Sequence, residues 1–225
     1  MTGRYLVLDG PDGGGKSTQA ARLCARLAAG GVAVLHLREP GSTAIGEQLR
    51  ELLLRGGDVE PLTEALLFSA ARAEMVHRQV GPALADGRTV VAERCFLSTM
   101  VYQGLAPLEP LRRVPVELVG RLSAAVHAAH RPDRLVVLDV PVAVTRQRLA
   151  ATRPDRFEAR GDAFLARVRE AYLALAADPV VRGIVRAPAG VRIVDAARAP
   201  DAVERDVLAA VAEGSPDAPG ETGPD

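Results

Sequence analysis

The chain has 225 residues, of which 48% are hydrophobic, and its 28 basic and 28 acidic residues give a formal net charge of zero. A chain of this length and apolar content can bury the core of one α/β domain, and the lack of a basic excess argues against a general binder of nucleic acids or membrane surfaces. The cysteines Cys24 and Cys95 lack the spacing of a disulfide framework or a zinc site. Because no apolar run reaches about 18 residues and no secretory signal opens the chain, we expect a cytoplasmic enzyme with no membrane contact.

Strands and helices are predicted to alternate along the chain. Apolar runs predict five strands, the first of them buried, which are Arg4–Asp9, Ala33–Leu37, Thr89–Ala92, Leu135–Asp139 and Val191–Val194. Helical spacing of apolar residues predicts the segments between and after them, which are Lys16–Ala29, Thr43–Leu54, Pro61–Ala85 with a break near Gly81, Val116–Ala129, a helix ending at about Ala151, one marked by Phe164 to Leu175, and Asp201–Ala212. This pattern predicts an α/β fold with a doubly wound, five-stranded parallel sheet flanked by helices, whose ligands bind beyond the carboxyl ends of the strands.

The organisation of the chain is simple. No internal repeat and no linker divides it, so we expect one domain over residues 1–213. The segment 214–225 is rich in proline, glycine and acidic residues, a composition that predicts a disordered tail.

A glycine-rich segment lies between the first predicted strand and the first predicted helix. It fits the phosphate-binding pattern G-x-x-x-x-G-K-[ST], whose backbone N–H groups face nucleotide phosphates at a helix N-terminus that favours anions. Lys16 is predicted to reach the β- and γ-phosphates of ATP, and Ser17 to ligate Mg²⁺. Lys16 is also the only lysine among the 28 basic residues, which indicates a position that requires a compact ammonium. The predicted ATP-binding residues are Gly10, Pro11, Asp12, Gly13, Gly14, Gly15, Lys16, Ser17 and Thr18.

Five segments in a fixed order resemble motifs of the bacterial thymidylate kinases, over nearly the whole chain to about Ala197. They are Leu8–Gln19 (LDGPDGGGKSTQ), Arg38–Thr43 (REPGST, with Ser42 where the family has glycine), Leu66–Arg72 (LLFSAAR), Glu93–Cys95 with Tyr102–Gly104 (ERC and YQG), and Asp155–Glu158 (DRFE). The resemblance implies the P-loop nucleoside monophosphate kinase fold, a homodimer, and transfer of the γ-phosphate of Mg·ATP to dTMP.

A ring and a guanidinium are predicted to read the acceptor base. Phe68 and Arg72 are four residues apart and therefore share one face of a helix. The ring can stack on a nucleobase while the guanidinium donates to a carbonyl such as thymine O4. From the residues alone, core packing of Phe68 and a solvated surface position for Arg72 stay open.

Other residues are expected around the acceptor phosphate and sugar. Arg38 and Arg94 each follow a predicted strand, and two arginines can grip a dianionic phosphate. By resemblance, Asp12 meets the acceptor or a metal-bound water, and Tyr102 fills the space where a ribose would carry its 2′-OH, which selects deoxyribose. The remaining members expected to contact the acceptor are Ser98, Thr99 and Gln103.

A basic segment bounded by helix breakers predicts a lid over about residues 152–162 that closes over ATP and expels water. Its arginines are Arg153, Arg156 and Arg160. The phosphate loop contains no arginine, and family forms of this type supply one from the lid, so the resemblance assigns a catalytic role to Arg153 and Arg156. The other catalytic candidates are Lys16, Arg94 and Asp12.

Three residues depart from the family pattern and leave alternatives open. Asp9, Glu93 and Cys95 stand where the family usually has glutamate, aspartate and an aromatic residue. Glu93 is a candidate Mg²⁺ ligand beside Ser17. A Glu-Arg pair before a small residue is also similar to deoxynucleoside kinases, in which a carboxylate takes the 5′-hydroxyl proton.

Two further readings stay open: a kinase for a modified pyrimidine nucleotide, and an inactive paralogue that only binds nucleotide. A GTPase is disfavoured, because the chain has no asparagine and no second lysine for the guanine-reading Asn-Lys-x-Asp segment. The histidines are scattered and receive no role: His36, His77, His127 and His130.

Overall fold

A computed structural model describes residues 3–150, 161–186 and 190–213. Its strands are β1 (Tyr5–Asp9), β2 (Val34–Arg38), β3 (Thr89–Glu93), β4 (Arg134–Asp139) and β5 (Val191–Asp195). They form one sheet in the order β2-β3-β1-β4-β5, and every neighbouring pair is parallel. The predicted doubly wound, five-stranded parallel sheet is therefore confirmed.

Helices cover both faces of this sheet. The larger ones are α1 (Lys16–Ala29), α2 (Ala44–Arg55), α3 (Pro61–Met75), α6 (Val116–Val126), α8 (Asp162–Ala176) and α10 (Pro200–Ala212). The shorter ones are α4 (Gly81–Ala85), α5 (Phe96–Thr99), α7 (Val142–Leu149) and α9 (Pro179–Ile184), together with π-helical turns at Val76–Val80 and Met100–Leu105 and a 3₁₀ turn at Pro110–Arg112. None of the helices in the described part of the chain has the length and apolar content needed to span a bilayer.

Several helix predictions need correction. The break expected near Gly81 is absent, because a π-helical turn joins α3 to α4 without interrupting the helical backbone. The predicted helix Val116–Ala129 ends earlier, at Val126. The elements over residues 96–105 and α9 were not predicted. The first is a four-residue helix followed by a six-residue π-helical turn, and α9 has only six residues, so each is too short to establish a period.

The core consists of two layers, one on each face of the sheet. Side chains alternate along a strand, so Tyr5 and Val7 of β1 enter the layer under α3, α5, α6 and α8, while Leu6 and Leu8 enter the layer under α1 and α10. Strand β1 is buried along its whole length, as expected for the centre of a parallel sheet covered on both faces.

The sheet brings three strand ends to the same edge. β3 lies between β1 and β2, and backbone hydrogen bonds continue past the strands, from the Arg94 N–H to the Leu8 carbonyl at 2.8 Å and from the Glu39 N–H to the Glu93 carbonyl at 2.9 Å. The segments after β1, β2 and β3 therefore meet at one place, at the carboxyl ends of the strands where ligands bind in such folds.

Candidate functional site

The phosphate loop curls between β1 and α1 with a backbone that requires glycine. Gly10, Gly13 and Gly15 have φ angles of 141°, 71° and 82°, a region that favours glycine. A Cβ on Gly10 would also lie 2.5 Å from the Leu138 carbonyl oxygen. The loop passes too close to β4 for a side chain there, which explains the glycine at the first position of the motif.

Lys16 is folded back over its own loop. Its Nζ donates to the carbonyls of Gly10 at 3.0 Å and Pro11 at 2.7 Å, and lies 4.0 Å from Asp12 Oδ1. Burial, and then the charge of Arg94, lower the pKa of Lys16 to about 8. The ammonium is therefore held at the loop mouth by neutral carbonyl oxygens, which anionic phosphate oxygens can replace.

Ser17 and Glu93 form an oxygen pair beside the loop. The Ser17 hydroxyl donates to Glu93 Oε2 at 2.5 Å, and His36 Nε2 on the edge strand β2 lies 2.9 Å from Glu93 Oε1. A hydroxyl and a carboxylate fit Mg²⁺, which takes oxygen ligands from one or two side chains, waters and phosphates. Within residues 3–150, 161–186 and 190–213, no three His, Cys, Asp or Glu side chains converge into an all-protein metal cage.

Two cavities adjoin at the strand ends and share part of their walls. The first, of about 210 Å³ and here called the acceptor pocket, is lined by Asp12, Glu39, Pro40, Arg50, Leu54, Phe68, Arg94, Ser98, Thr99, Tyr102 and Gln103. The second, of about 450 Å³ and here called the loop cavity, is lined by Asp12, Gly13, Gly15, Lys16, Ser17, Thr18, Arg38, Glu39, Arg50, Glu93, Arg94 and Arg148. Four residues line both: Asp12, Glu39, Arg50 and Arg94.

Arg94 lies at the boundary between the two cavities. Its Nη1 donates to Ser98 Oγ at 3.0 Å, its Nη2 pairs with Asp12, and its guanidinium lies 5.5 Å from the centre of the Tyr102 ring. Its φ of 67° is left-handed, a costly conformation for a non-glycine residue that is typical of functional sites. Tyr102 donates its hydroxyl to the other oxygen of Asp12 at 2.7 Å.

Asp12 is held ionised by these partners. Burial by itself would raise the pKa of Asp12, but the charges of Arg94 and Lys16 outweigh it and lower that pKa below its ordinary value. One carboxylate therefore lies between two cations at the point where the cavities meet, which leaves a net positive charge there.

Arg72 is a buried residue rather than a surface arginine. It is 2% exposed, donates to Glu39 Oε2 at 2.7 Å and to Thr99 Oγ1 at 3.0 Å, and lies behind the pocket wall that those two residues form. Its Nη1 and the Glu39 Oε1 have no hydrogen-bond partner among the described residues. Burial raises the pKa of Glu39 to about 7, although Arg72 opposes the rise.

The structure does not bring Arg38 to the acceptor pocket. Its guanidinium lies 3.4 Å from Glu47 of α2, its side chain is about half exposed, and it lines only the loop cavity. Arg50 of α2 takes that place instead, because it lines both cavities while donating to the Pro40 carbonyl at 2.9 Å. Sequence reasoning missed Arg50, which lies in a helix predicted only from its apolar stripe.

The family glycine that Ser42 replaces has a physical explanation. Ser42 adopts a φ of 66°, which glycine tolerates at low cost. The serine compensates with side-chain bonds: its hydroxyl accepts from the Arg38 N–H at 2.9 Å and donates to the Arg38 carbonyl at 3.1 Å. The turn between β2 and α2 is thereby kept.

Gln103 has a fixed amide orientation. Its Nε2 donates to Glu64 Oε2 at 2.6 Å, and both residues are buried. Because a carboxylate only accepts, the amide nitrogen must face Glu64, which leaves the amide carbonyl as the acceptor that Gln103 can offer to the pocket. Phe68 lines the pocket beside it.

The departures Asp9 and Cys95 contact each other. The Cys95 N–H and thiol lie 3.1 Å and 3.3 Å from Asp9 Oδ2, and both residues are fully buried. Burial and then the Asp9 charge raise the pKa of the Cys95 thiol well above its usual range. The carboxylate and the small thiol therefore pack together as one unit.

Arg148 was also missed by the sequence reasoning. It lies on α7, donates to the carbonyls of Gly13 at 3.0 Å and Ala196 at 2.9 Å, and lines the loop cavity. The predicted lid arginines Arg153, Arg156 and Arg160 lie outside the described residues, as do residues 214–225.

Comparisons with known proteins identify the family of the chain. The family model described as thymidylate kinase matches residues 8–198. A thymidylate kinase of Pelotomaculum thermopropionicum is 39% identical over 95% of this chain and 94% of its own length. A thymidylate kinase of Pseudomonas putida is 41% identical over 92% of this chain and 94% of its own length. A thymidylate kinase of Deinococcus radiodurans is 39% identical over 94% of this chain and 97% of its own length.

Proposed function

The chain belongs to the thymidylate kinase family, an ATP-dependent phosphotransferase family, and we propose that it transfers the γ-phosphate of Mg·ATP to dTMP with the residues of the loop cavity and the acceptor pocket. The observation that carries the assignment of residues is the shared wall of Asp12, Glu39, Arg50 and Arg94 between the two cavities. A donor in one cavity and an acceptor in the other would meet there, as in-line transfer requires.

The acceptor is held by three kinds of contact. Arg94 and Arg50 bind its phosphate, since both line the acceptor pocket at the boundary with the loop cavity and guanidinium groups pair with phosphate oxygens. Tyr102 packs against the sugar. Phe68, Thr99 and Gln103 line the pocket and contact the base. Arg72 lies behind Thr99 and Glu39, so the base meets its unpartnered Nη1 only where this wall gives way on binding.

Base recognition follows from the donor and acceptor groups. The carbonyl of Gln103, fixed by Glu64, accepts the N3–H of thymine, and the Arg72 guanidinium donates toward O4. Cytosine presents an acceptor at N3 and a donor at N4, so it mismatches both groups.

The donor side uses the phosphate loop. The backbone N–H groups that follow Pro11 in the loop, together with Lys16, hold the triphosphate, and Ser17 and Glu93 would hold Mg²⁺. When bound, Mg²⁺ neutralises charge on the β- and γ-phosphates. An ionised acceptor phosphate needs no strong base, so the chain contributes positioning and charge stabilisation.

The deoxynucleoside kinase alternative is not favoured. It needs the Glu93 carboxylate next to a 5′-hydroxyl, yet Glu93 lines only the loop cavity and is engaged by Ser17 and His36. The presence of Arg94 and Arg50 in the acceptor pocket fits an acceptor that already bears phosphate.

A homodimer is part of the proposal, as is a cytoplasmic location. α2 and α3 pack side by side and expose Ile45, Leu52, Leu62 and Leu66 by 46–51%, an apolar surface that a second copy would cover. A native mass twice the 23.7 kDa of the chain, measured by light scattering, checks this prediction.

The direct test compares acceptors in one assay. ADP release from Mg·ATP is measured with dTMP, dUMP, dCMP, UMP and thymidine, for the unchanged protein and for Lys16→Ala. We expect dTMP to give the highest kcat/KM, and Lys16→Ala to lower kcat by about 100-fold or more. Turnover with thymidine alone would instead favour a nucleoside kinase, and silence with all five a modified substrate or a binder without turnover.

A further inference from the structure

A buried carboxylate at the end of β1 organises the neighbourhood of Arg94. Asp9 is fully buried and accepts from the Ser98 N–H at 3.1 Å, the Ser98 hydroxyl at 2.7 Å and the Tyr172 hydroxyl at 2.8 Å. Tyr172 comes from α8, is 1% exposed, and is not among the described residues that line the acceptor pocket or the loop cavity. Its hydroxyl is thus inside the protein, one residue away from Arg94.

Three oxygens form a closed triangle at this point. The Tyr172 and Ser98 hydroxyl oxygens lie 2.8 Å apart, and both are within 2.8 Å of the same Asp9 oxygen, Oδ1. Because the carboxylate only accepts, it attracts the hydroxyl protons. Burial and then Asp9 raise the pKa of Tyr172 well above its usual range, which keeps that hydroxyl a donor.

This arrangement decides what Ser98 can offer to Arg94. With its proton directed into the triangle, the Ser98 oxygen presents a lone pair outward, and it accepts from Arg94 Nη1 at 3.0 Å. The other end of the guanidinium is paired with Asp12. Ser98 therefore gives the Arg94 guanidinium a neutral hydrogen-bond acceptor, and the contact with Tyr172 limits how the Ser98 hydroxyl can rotate.

We propose that Tyr172 is a positioning residue for the acceptor phosphate: its hydroxyl holds Ser98, and Ser98 holds the Arg94 guanidinium in the orientation that binds phosphate. The proposal rests on the proposed function only in the assignment of the acceptor phosphate to Arg94. Loss of the Tyr172 hydroxyl would loosen Ser98 and leave Asp9 with one donor fewer, while the ring would still fill its place in the core.

A matched control exists within the same core. Tyr5 is also a fully buried tyrosine, but its hydroxyl has no hydrogen-bond partner among the described residues. Tyr5→Phe and Tyr172→Phe therefore remove the same atom from two buried rings, one outside the Arg94 network and one inside it.

The test measures binding of dTMP and of thymidine, which lacks the phosphate, by calorimetry without ATP. We expect Tyr172→Phe to weaken dTMP roughly 3- to 10-fold and thymidine less than about twofold, which corresponds to one perturbed hydrogen bond. Tyr5→Phe should change neither affinity. Ser98→Ala should weaken dTMP at least as much, and adding Tyr172→Phe to it should have no further effect, since both act through one link.

Other outcomes overturn the proposal. Equal weakening of dTMP and thymidine would show a purely structural role for Tyr172, and an unchanged dTMP affinity would show that its hydroxyl does not reach Arg94. If the unchanged protein bound dTMP no more tightly than thymidine, the contact between Arg94 and the acceptor phosphate, on which the proposal depends, would be refuted. Normal dTMP binding without phosphoryl transfer would count against the proposed function alone.

Discussion

Tyr102 connects the acceptor pocket to the phosphate loop at the scale of a single residue. Its hydroxyl donates to Asp12, and its ring lies under the Arg94 guanidinium and 6.2 Å from the Phe164 ring. The ring and the hydroxyl therefore do different work: the ring occupies space beside the acceptor, while the hydroxyl fixes Asp12.

Substitution of Tyr102 separates these two effects. Tyr102→Ala opens space beside the sugar, so we expect the ratio of kcat/KM for UMP to that for dTMP to rise at least about tenfold. Tyr102→Phe keeps the ring and should keep the ratio, with a lower kcat/KM for both. Steady-state kinetics with the two nucleotides check this; a ratio that stays constant in Tyr102→Ala would mean that another residue excludes ribose.

The arginines mark the limit of prediction for single residues. Arg94 lies in the wall of the acceptor pocket, where its position after a strand led us to expect it, because strand ends converge in a parallel sheet. It could not distinguish a buried from a solvated Arg72, since burial depends on Glu39, which is 33 residues away in the chain. The sequence likewise could not show that Arg50, and not Arg38, lines the acceptor pocket. The Arg38 side chain instead pairs with Glu47, which is nine residues away in the chain.

At the scale of elements, strands were predictable and irregular helices were not. Every strand lies within one residue of its predicted bounds, because the runs are too short for helices and are rich in β-branched and other apolar residues. The segment Met100–Leu105 is π-helical. A single π-helical turn of six residues is too short to produce a periodic pattern of apolar residues, so the sequence does not predict it. This turn carries Tyr102 and Gln103, so the least predictable element presents the acceptor-facing side chains.

The link between this π-helical turn and α3 can be tested through Glu64. Glu64→Gln provides both a donor and an acceptor, so the Gln103 amide can turn over and present its NH₂ to the pocket. We expect kcat/KM for dTMP to fall about 5- to 20-fold, within the range for one mismatched hydrogen bond. Glu74→Gln on the same helix, partly exposed and 3.5 Å from Arg78, is the control; equal effects of the two variants would refute a fixed amide.

At the scale of the whole molecule, the core layer that contains Tyr5 and Phe96 also contains an ionisable group, which contacts both rings. His127 is fully buried, its Nδ1 lies 3.2 Å from the His130 carbonyl oxygen, and its Nε2 has no partner among the described residues. Burial and then the Arg72 charge lower the pKa of His127 to about 4, from 6.5. The folded protein therefore keeps this imidazole neutral under conditions in which the unfolded chain protonates it.

Stability should depend on pH accordingly. Between about pH 6.5 and pH 4 the unfolded state binds a proton at His127 that the folded state does not. The free energy of unfolding therefore decreases as the pH falls through this window. Denaturant unfolding gives the free energy of unfolding at pH 7.5 and at pH 4.5. The decrease between these two pH values should be smaller in His127→Gln than in the unchanged protein, by about 2 to 3 kcal/mol. The exposed His77→Gln should behave like the unchanged protein, and an identical loss in all three would mean that His127 titrates normally.

Transfer of phosphate to dTMP is defined by its product, which is dTDP. The measurement that tests it most directly is anion-exchange analysis of nucleotides after incubation with Mg·ATP and dTMP, with thymidine in a parallel reaction. We predict dTDP in amounts equal to the ADP formed, and no dTMP from thymidine. ADP without dTDP, or conversion of thymidine alone, would contradict transfer to a phosphate held by Arg94 at the boundary of the two cavities.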